Sequence, residues 1–250
     1  MGDDVLTLPR EPRVFPLTQV APHQPPDNNM TNDPNSAEIL DLMATFVTVR
    51  HSELRHGLAK VVDKASMLHV DALIMVHHLA KIATGHILEV GSFFGGATIA
   101  AAYGVRASGT RKKIVTIEPG GPVKHHRLPS KDIFKDLEKN LSRFGVAGEV
   151  TVLHGHSFDP AVIAAVKQTF VRGDVGLFIF DADNNVRRDI DAYGELLSDG
   201  CWVVIDDYVR GAEDKVGPTR SQVDELIAEG RLAPLGYYGW GTWVGKWRRP

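Results

Sequence analysis

Five short apolar runs recur along the chain, and a stretch of helical periodicity separates each from the next. The runs are "HILEVGS", "KIVTIEPGG", "VTVLHG", "GLFIFDAD" and "CWVVIDDY". Between them lie "TIAAAYGV", "KDIFKDLEKNLSRFG", "PAVIAAVKQTF" and "NVRRDIDAYGELL". Short β-rich runs bounded by Gly, Pro or Asp read as strands, and strands that alternate with helices must be joined by crossovers. The runs are apolar throughout rather than alternating, as in strands covered on both faces. The pattern therefore predicts an α/β fold, a mostly parallel sheet with helices on both sides. After the fifth run come a helix, "PTRSQVDELIAEG", and the segment "LAPLGYYGWGTWVGKW", which alternates and holds three of the four tryptophans. It reads as an antiparallel pair at the sheet edge.

In open α/β sheets, ligands bind beyond the carboxyl ends of the strands, where the strand order reverses. The chemistry-bearing residues of this chain fall at those ends. Leu177 to Phe180 is apolar and is followed by Asp181, Asp183, Asn184 and Asn185; Trp202 to Ile205 is followed by Asp206 and Asp207. Neighbouring strands lie about 4.8 Å apart, so carboxylates closing two adjacent strands repel unless a cation relieves them. An all-oxygen set without nearby Cys or paired His suits Mg²⁺ or another hard divalent cation. The plainer alternative makes these aspartates helix caps and turn formers, and Asp183, just before a helix, fits that role best. Further upstream, "ILEVGSFFGGATIAAA" is a strand, a tight glycine turn and a helix start. The next strand closes on Glu118, an acid able to accept both hydroxyls of a ribose. A dinucleotide fold is one reading of this pair, but Phe93 stands where that fingerprint wants its second glycine.

The remainder divides simply. Residues 1–35 hold seven of the 14 prolines (Pro9, Pro12, Pro16, Pro22, Pro25, Pro26 and Pro34) and read as an arm rather than a packed element. Val14, Phe15 and Leu17 are its apolar anchors. Residues 36–84 read as N-terminal helices. A capping Ser36 precedes one face of Ile39, Leu40, Met43, Phe46 and Val47. A second face carries Val70, Leu73, Ile74, Val76, His77 and Ala80. Residues 85–250 form the main domain. The net charge of −3 gives no bulk attraction for nucleic acid. No apolar run approaches the ~20 residues that span a bilayer. The start lacks a secretory pattern, and Leu6 stands where a myristoylation signal wants Ser or Thr. The single Cys201 suggests an inert buried thiol, and the expected location is the cytoplasm.

Taken in order, "LEVGSFFGGAT", "IVTIEPG", "LHGHSFD", "IFDAD" and "VVIDDY" resemble the motifs of the class I methyltransferases, and within them the metal-dependent O-methyltransferases of the macrocin and catechol types. The resemblance runs from about Leu79 to the C-terminus. It implies a Rossmann-like, seven-stranded sheet with an antiparallel edge hairpin, and S-adenosylmethionine as cofactor. Its implied cofactor contacts are Glu89, Gly91, Ser92, Phe93, Gly95 and Thr98 in the first motif, Glu118 and Pro119 in the second, Ser157 and a stacking Phe158 at the adenine, and Asp181. The implied metal ligands are Asp181, Asp206 and Asp207, with Mg²⁺ or another divalent ion binding two adjacent oxygens of a sugar diol, a catechol or a related natural product. Secondary metabolism is the implied setting. The chain departs from the pattern after the first metal aspartate. Catechol-type members carry a lysine there, and macrocin-type members often a histidine, but here stand Asn184 and Asn185. Asp183, His125, His126 and His156 are the replacement bases to consider, and the expected catalytic set is Asp181, Asp183 and His156. Lys215, Arg187 and Arg188 are candidates for binding an anionic substrate. The loop "PGGPVKHHRLPSKD" is a candidate lid, and Tyr237, Tyr238, Trp240 and Trp243 line the acceptor pocket or pack the edge strands or a dimer interface. The expected partners are a small hydroxyl acceptor and a second copy of the chain, with no nucleic acid and no membrane. A cephalosporin-hydroxylase-like oxidoreductase and a non-catalytic cofactor binder are the other classes this pattern admits.

Overall fold

In the computed structural model, residues 34–209 and 213–249 are described. The proline-rich stretch therefore lies outside the described residues except for its last two. The first helix, α1 (Pro34–Val49), begins on a proline, whose fixed φ suits a first turn. Ser36 thus sits inside the helix rather than capping it. Its buried row is also narrower than the expected face. Leu42 is fully buried and Ile39 and Phe46 pack partly against the core, whereas Leu40, Met43 and Val47 are 66%, 56% and 79% exposed. The helix meets the core along one stripe only, at positions i, i+3 and i+7.

A second helix, α2 (Glu53–Ala65), follows an N-cap at Ser52, whose Oγ accepts from Arg55 N at 3.3 Å. It buries Leu58, Val61 and Ala65. The third, α3 (Val70–Ile82), is buried nearly all round, from Ala72 to His77 and at Leu79 and Ala80. It lies so close to α4 (Gly96–Ser108) that a side chain at Gly104 would collide with the backbone of His77.

The alternation then runs as the pattern predicts: β1 (His86–Val90), α4, β2 (Ile114–Glu118), α5 (Ile133–Arg143), β3 (Val150–His154), α6 (Pro160–Thr169), β4 (Val175–Phe180), α7 (Val186–Tyr193) and β5 (Leu197–Ile205). Helix α8 (Glu213–Ala228) and the hairpin β6 (Leu232–Tyr238) and β7 (Thr242–Trp247) complete it. The seven strands are ordered β3-β2-β1-β4-β5-β7-β6, with β1 to β5 parallel and β7 antiparallel to both β5 and β6. One core cluster lies under α2, α3, α4 and α5, and a second under α6, α7 and α8. The sheet is covered on both faces, which is why its central strands carry no polar alternation. Among the described residues no helix is long and apolar enough to cross a membrane.

Strand order reverses between β1 and β4, and the register there places the strand ends level. Val90 pairs with Phe180, and Phe180 with Ile205. The ladder then runs one step further: Gly91 N donates to Ile117 O at 3.0 Å, Asp181 N to Val90 O at 2.9 Å and Asp206 N to Phe180 O at 3.0 Å. Gly91, Asp181 and Asp206 therefore stand in a row across the carboxyl edge.

Candidate active site

A pocket of about 450 Å³ opens at this edge. The glycine turn forms its floor. Gly91 has φ +83, and a Cβ there would collide with the backbone carbonyl of Asp181, so strand and turn approach too closely for any side chain. Phe93, at the place of the fingerprint's second glycine, keeps the left-handed backbone with φ +49. A bulky residue in that region costs on the order of 1 kcal/mol. Two features hold it there: its N–H donates to Glu118 Oε2 at 2.7 Å, and its ring stacks on Phe94 with centroids 4.0 Å apart. Glu118 Oε1 accepts from Gly120 N at 2.9 Å. Each of its oxygens keeps a lone pair for a further donor. Burial pushes its carboxyl up despite these two amides and the nearby His154 and His156.

Beneath the turn, Glu89 is 1% exposed. Its Oε2 accepts from the Thr98 hydroxyl, while Oε1 is buried with no partner. Ser92 Oγ is likewise buried and unpartnered. Burial pushes the Glu89 carboxyl up to about 7, against the hydrogen bond from Thr98. An unpaired, nearly buried carboxylate oxygen lining a pocket is costly unless a cationic donor reaches it.

The other wall is the loop after β3. Ser157 is buried, its carbonyl accepting from Tyr193 Oη. Phe158 is 44% exposed, stacks on His156 at 4.9 Å, and carries the Arg188 guanidinium 4.3 Å from its ring centroid. Arg188 is itself held by Asp183 at 2.8 Å and by the fully buried Asp189 at 2.7 Å. Burial works to raise Asp183, but the hydrogen bonds from Arg188 and the Asn185 amide outweigh it and hold its carboxyl below the ordinary value. Asp183 is not the cap of α7. Asn185 is, accepting from Arg188 N, while Asp183 Oδ1 takes the Asn185 N–H at 3.0 Å. The cap needs a side chain one residue before Val186, and Asp183 is two residues too early.

Asp181, Asp206 and Asp207 converge, each offering a carboxylate oxygen within 4.8 Å of the others. Asp207 adopts φ +57, a region Asp tolerates, and Asp206 Oδ1 accepts from the Thr242 hydroxyl of β7 at 2.6 Å. Burial and then the charge of Asp206 drive Asp181 well above the carboxylate range, and burial drives Asp206 up to about 6. Such mutual repulsion is what a bound divalent cation relieves. The donors are all oxygen, as a hard cation prefers.

One cation stands by. Lys215 Nζ donates to Ala182 O at 2.7 Å and lies 3.5 Å from Asp207 Oδ2. It reaches the pocket because α8 starts at Glu213, earlier than "PTRSQVDELIAEG" suggested. Pro218 sits inside the helix and has no N–H for the Asp214 carbonyl, which accepts from Asn184 Nδ2 at 3.0 Å instead.

Glu89, Gly91, Ser92, Phe93, Glu118, Pro119, His156, Ser157, Phe158, Asp181 and Asp183 all line this pocket. Thr98 braces Glu89 from behind, and Gly95 (φ +92) turns the chain into α4. His125 and His126 stand in the 119–132 loop with centroids 4.3 Å apart, and neither lines the pocket. That loop is pinned by paired backbone hydrogen bonds between Val123 and Ser130 and by Arg127 donating to Val62 O. Trp243 is buried and Tyr238 stacks on Phe46, so both pack the edge strands, while Trp240 leans on His69. Arg187 pairs with Glu229, away from the pocket. Sequence reasoning missed the wall contributed by Ala65 to Leu68, between α2 and α3. No local motif marks it; only Gly96, where a Cβ would strike Ser66, hints at the close approach.

Comparison with known proteins places this geometry. Residues 88–208 match a family model described as a methyltransferase domain. No curated protein matches the chain in sequence. Among solved structures, the O-methyltransferase of Bacillus cereus in complex with S-adenosylhomocysteine is 16% identical, with TM-score 0.53 over 89% of this chain and 94% of that one. The O-methyltransferase TomG of Streptomyces achromogenes, involved in tomaymycin synthesis and bound to S-adenosylmethionine, is 18% identical, with TM-score 0.58 over 84% and 96%. The S-adenosylhomocysteine-bound methyltransferase PaMTH1 of Podospora anserina is 17% identical, with TM-score 0.55 over 92% and 100%.

Proposed function

We propose that this chain, whose residues 88–208 match a methyltransferase domain, is a class I methyltransferase that moves the methyl group of S-adenosylmethionine onto a small-molecule hydroxyl with a second oxygen beside it. The observation that carries this reading is one pocket lined both by Glu89, whose buried Oε1 is unpaired, and by Asp181, whose carboxylate converges with those of Asp206 and Asp207.

The residues fit the cofactor. Glu89 Oε1 and Ser92 Oγ lack partners and suit the ammonium and carboxylate of its methionine part. Glu118 has lone pairs for the ribose hydroxyls, and Ser157 and Phe158 offer a hydroxyl and a ring face to the adenine. Asp181, Asp206 and Asp207 would hold a divalent cation, with Thr242 fixing the orientation of Asp206. The chemistry supplied by the two bound groups is an electrophilic methyl and a lowered pKa for the acceptor hydroxyl. The protein's part is positioning: the aligned ends of β1, β4 and β5 bring cofactor floor and carboxylates together on rigid strands. Asn184 and Asn185 take up no proton, Asp183 is engaged by Arg188 and His156 is stacked on Phe158, and in this reading the acceptor proton leaves to solvent.

Formation of S-adenosylhomocysteine over a panel of catechols and sugar diols, with and without Mg²⁺, tests this. The expected result is metal-dependent turnover on at least one catechol or diol, reduced about 100-fold or more in Asp206→Ala. Turnover indifferent to chelator and to Asp206→Ala would sink the metal reading. S-adenosylhomocysteine binding without turnover on any acceptor would sink O-methylation.

A further inference from the structure

The charge balance of the carboxylate cluster is incomplete with a divalent cation alone. Asp181, Asp206 and Asp207 are all acids, so a bound 2+ ion leaves the cluster with one net negative charge. An acceptor oxygen beside the ion would still be stabilised by it, but the residual negative charge opposes part of that gain as the oxygen ionises. One more positive charge, placed beside the cluster and open to the pocket, removes that opposition.

Lys215 meets both conditions. Its ammonium is 3.5 Å from Asp207 Oδ2, and its charge also favours the ionised forms of Asp181, Asp183 and Asp206. Arg188, the other cationic residue lining the pocket, is engaged by Asp183 and Asp189 at the adenine side. Lys215 is placed rather than merely nearby. Its Nζ donates to Ala182 O at 2.7 Å, the turn of α8 that carries it is tied to the loop after β4 by Asn184 Nδ2 on Asp214 O, and two turns further along Gln222 Nε2 donates to Asn184 O. At 37% exposure the side chain lines the pocket with protons to spare for a further acceptor.

We propose that Lys215 is a catalytic residue of this enzyme, a fixed ammonium that neutralises the carboxylate–metal cluster and donates a hydrogen bond to the acceptor oxygen as its charge develops. The proposal rests on the O-methylation reading. In the step it serves, the hydroxyl O–H bond breaks and its proton passes to solvent. An oxygen lone pair forms the new C–O bond, and the C–S bond breaks with its electron pair returning to sulfur. Lys215 keeps its proton throughout, so it acts by charge and not as a base.

The test compares Lys215→Gln and Lys215→Arg, with Lys215→Met as a second uncharged variant should the glutamine protein fold poorly. S-adenosylhomocysteine affinity, measured by calorimetry, serves as the control for an intact cofactor site and is expected to stay within about threefold of wild type. The probe is 4-nitrocatechol, whose phenolate absorbs in the visible, added with Mg²⁺ and S-adenosylhomocysteine so that no turnover is needed. Wild type is expected to hold it as phenolate below its free pKa. The uncharged variants are expected to lose that signal and about tenfold to 100-fold in kcat/KM, and Lys215→Arg to retain both within about threefold. Uncharged variants equal to wild type would overturn the proposal while leaving O-methylation standing. So would an arginine variant as impaired as the glutamine one, which would point to proton transfer by the lysine. A wild-type protein that binds S-adenosylhomocysteine yet neither ionises nitrocatechol nor methylates any catechol or diol overturns both readings.

Discussion

At the scale of single residues, the most informative group is Glu89. Its carboxyl is buried, braced on one oxygen by Thr98 and left unpaired on the other, and burial lifts it to about 7. A cationic amine binds its ionised form. Affinity for S-adenosylhomocysteine should therefore be about tenfold weaker at pH 6 than at pH 8, since the ionised fraction of a group at about 7 changes by roughly that factor. In Glu89→Gln this slope should flatten and affinity at pH 8 should fall about tenfold or more. Titration calorimetry at the two pH values checks it; an unchanged slope in the variant would remove Glu89 from the cofactor site.

At the scale of elements, the edge hairpin does more than close the sheet. The Thr242 hydroxyl at the start of β7 holds Asp206, and Trp243 next to it is buried against the second core. Thr242→Val keeps the shape and removes the hydrogen bond. Mn²⁺ affinity should drop about fivefold to tenfold, the worth of one charge-assisted hydrogen bond, with little change in Tm. A large fall in Tm with unchanged metal affinity would make the threonine structural only. The elements also show where the sequence is readable. The strands are, because doubly buried β runs have few alternatives, and their ends bring Asp181, Asp206 and Asp207 together as the spacing implied. The start of α8 is not. Pro218 signals a helix N-terminus locally, and only Asn184, distant in sequence, takes up the carbonyl that the proline leaves free. The buried row of α1 is not readable either, because apolar residues occupy more of its surface than the core covers. The Ala65–Leu68 wall has no motif of its own, since backbone position rather than side-chain chemistry puts it in the pocket.

At the scale of the whole molecule, gathering acids at one sheet edge has a stability cost that ligands repay. Glu89 and Asp206 have folded-state pKa values raised to about 7 and about 6. The folded protein thus binds these protons more tightly than the unfolded chain does. Their contribution to stability is full below about 4 and is lost as pH rises through 6 to 7. Buried His77, held down to about 4, works the other way and offsets somewhat under 1 kcal/mol of the roughly 2 kcal/mol from the two acids, so the metal-free, cofactor-free protein should melt about 2–4 °C lower at pH 8 than at pH 6, at 2–4 °C per kcal/mol. Mg²⁺ should raise Tm more at pH 8, where the carboxylates are ionised, than at pH 6. A melting point that rises from pH 6 to pH 8 without metal would contradict the uncompensated cluster.

On the proposed reading, the pocket at the strand-order reversal binds the cofactor on its β1–β2 side, and Asp181 at its β4 side shares a metal with Asp206 and Asp207. Calorimetric titration of S-adenosylhomocysteine into metal-stripped wild type, Glu118→Ala and Asp206→Ala tests it most directly. Saturable one-to-one binding to wild type is expected, with its loss in Glu118→Ala and affinity within about threefold of wild type in Asp206→Ala. No binding to wild type, or binding that survives Glu118→Ala unchanged, would contradict it.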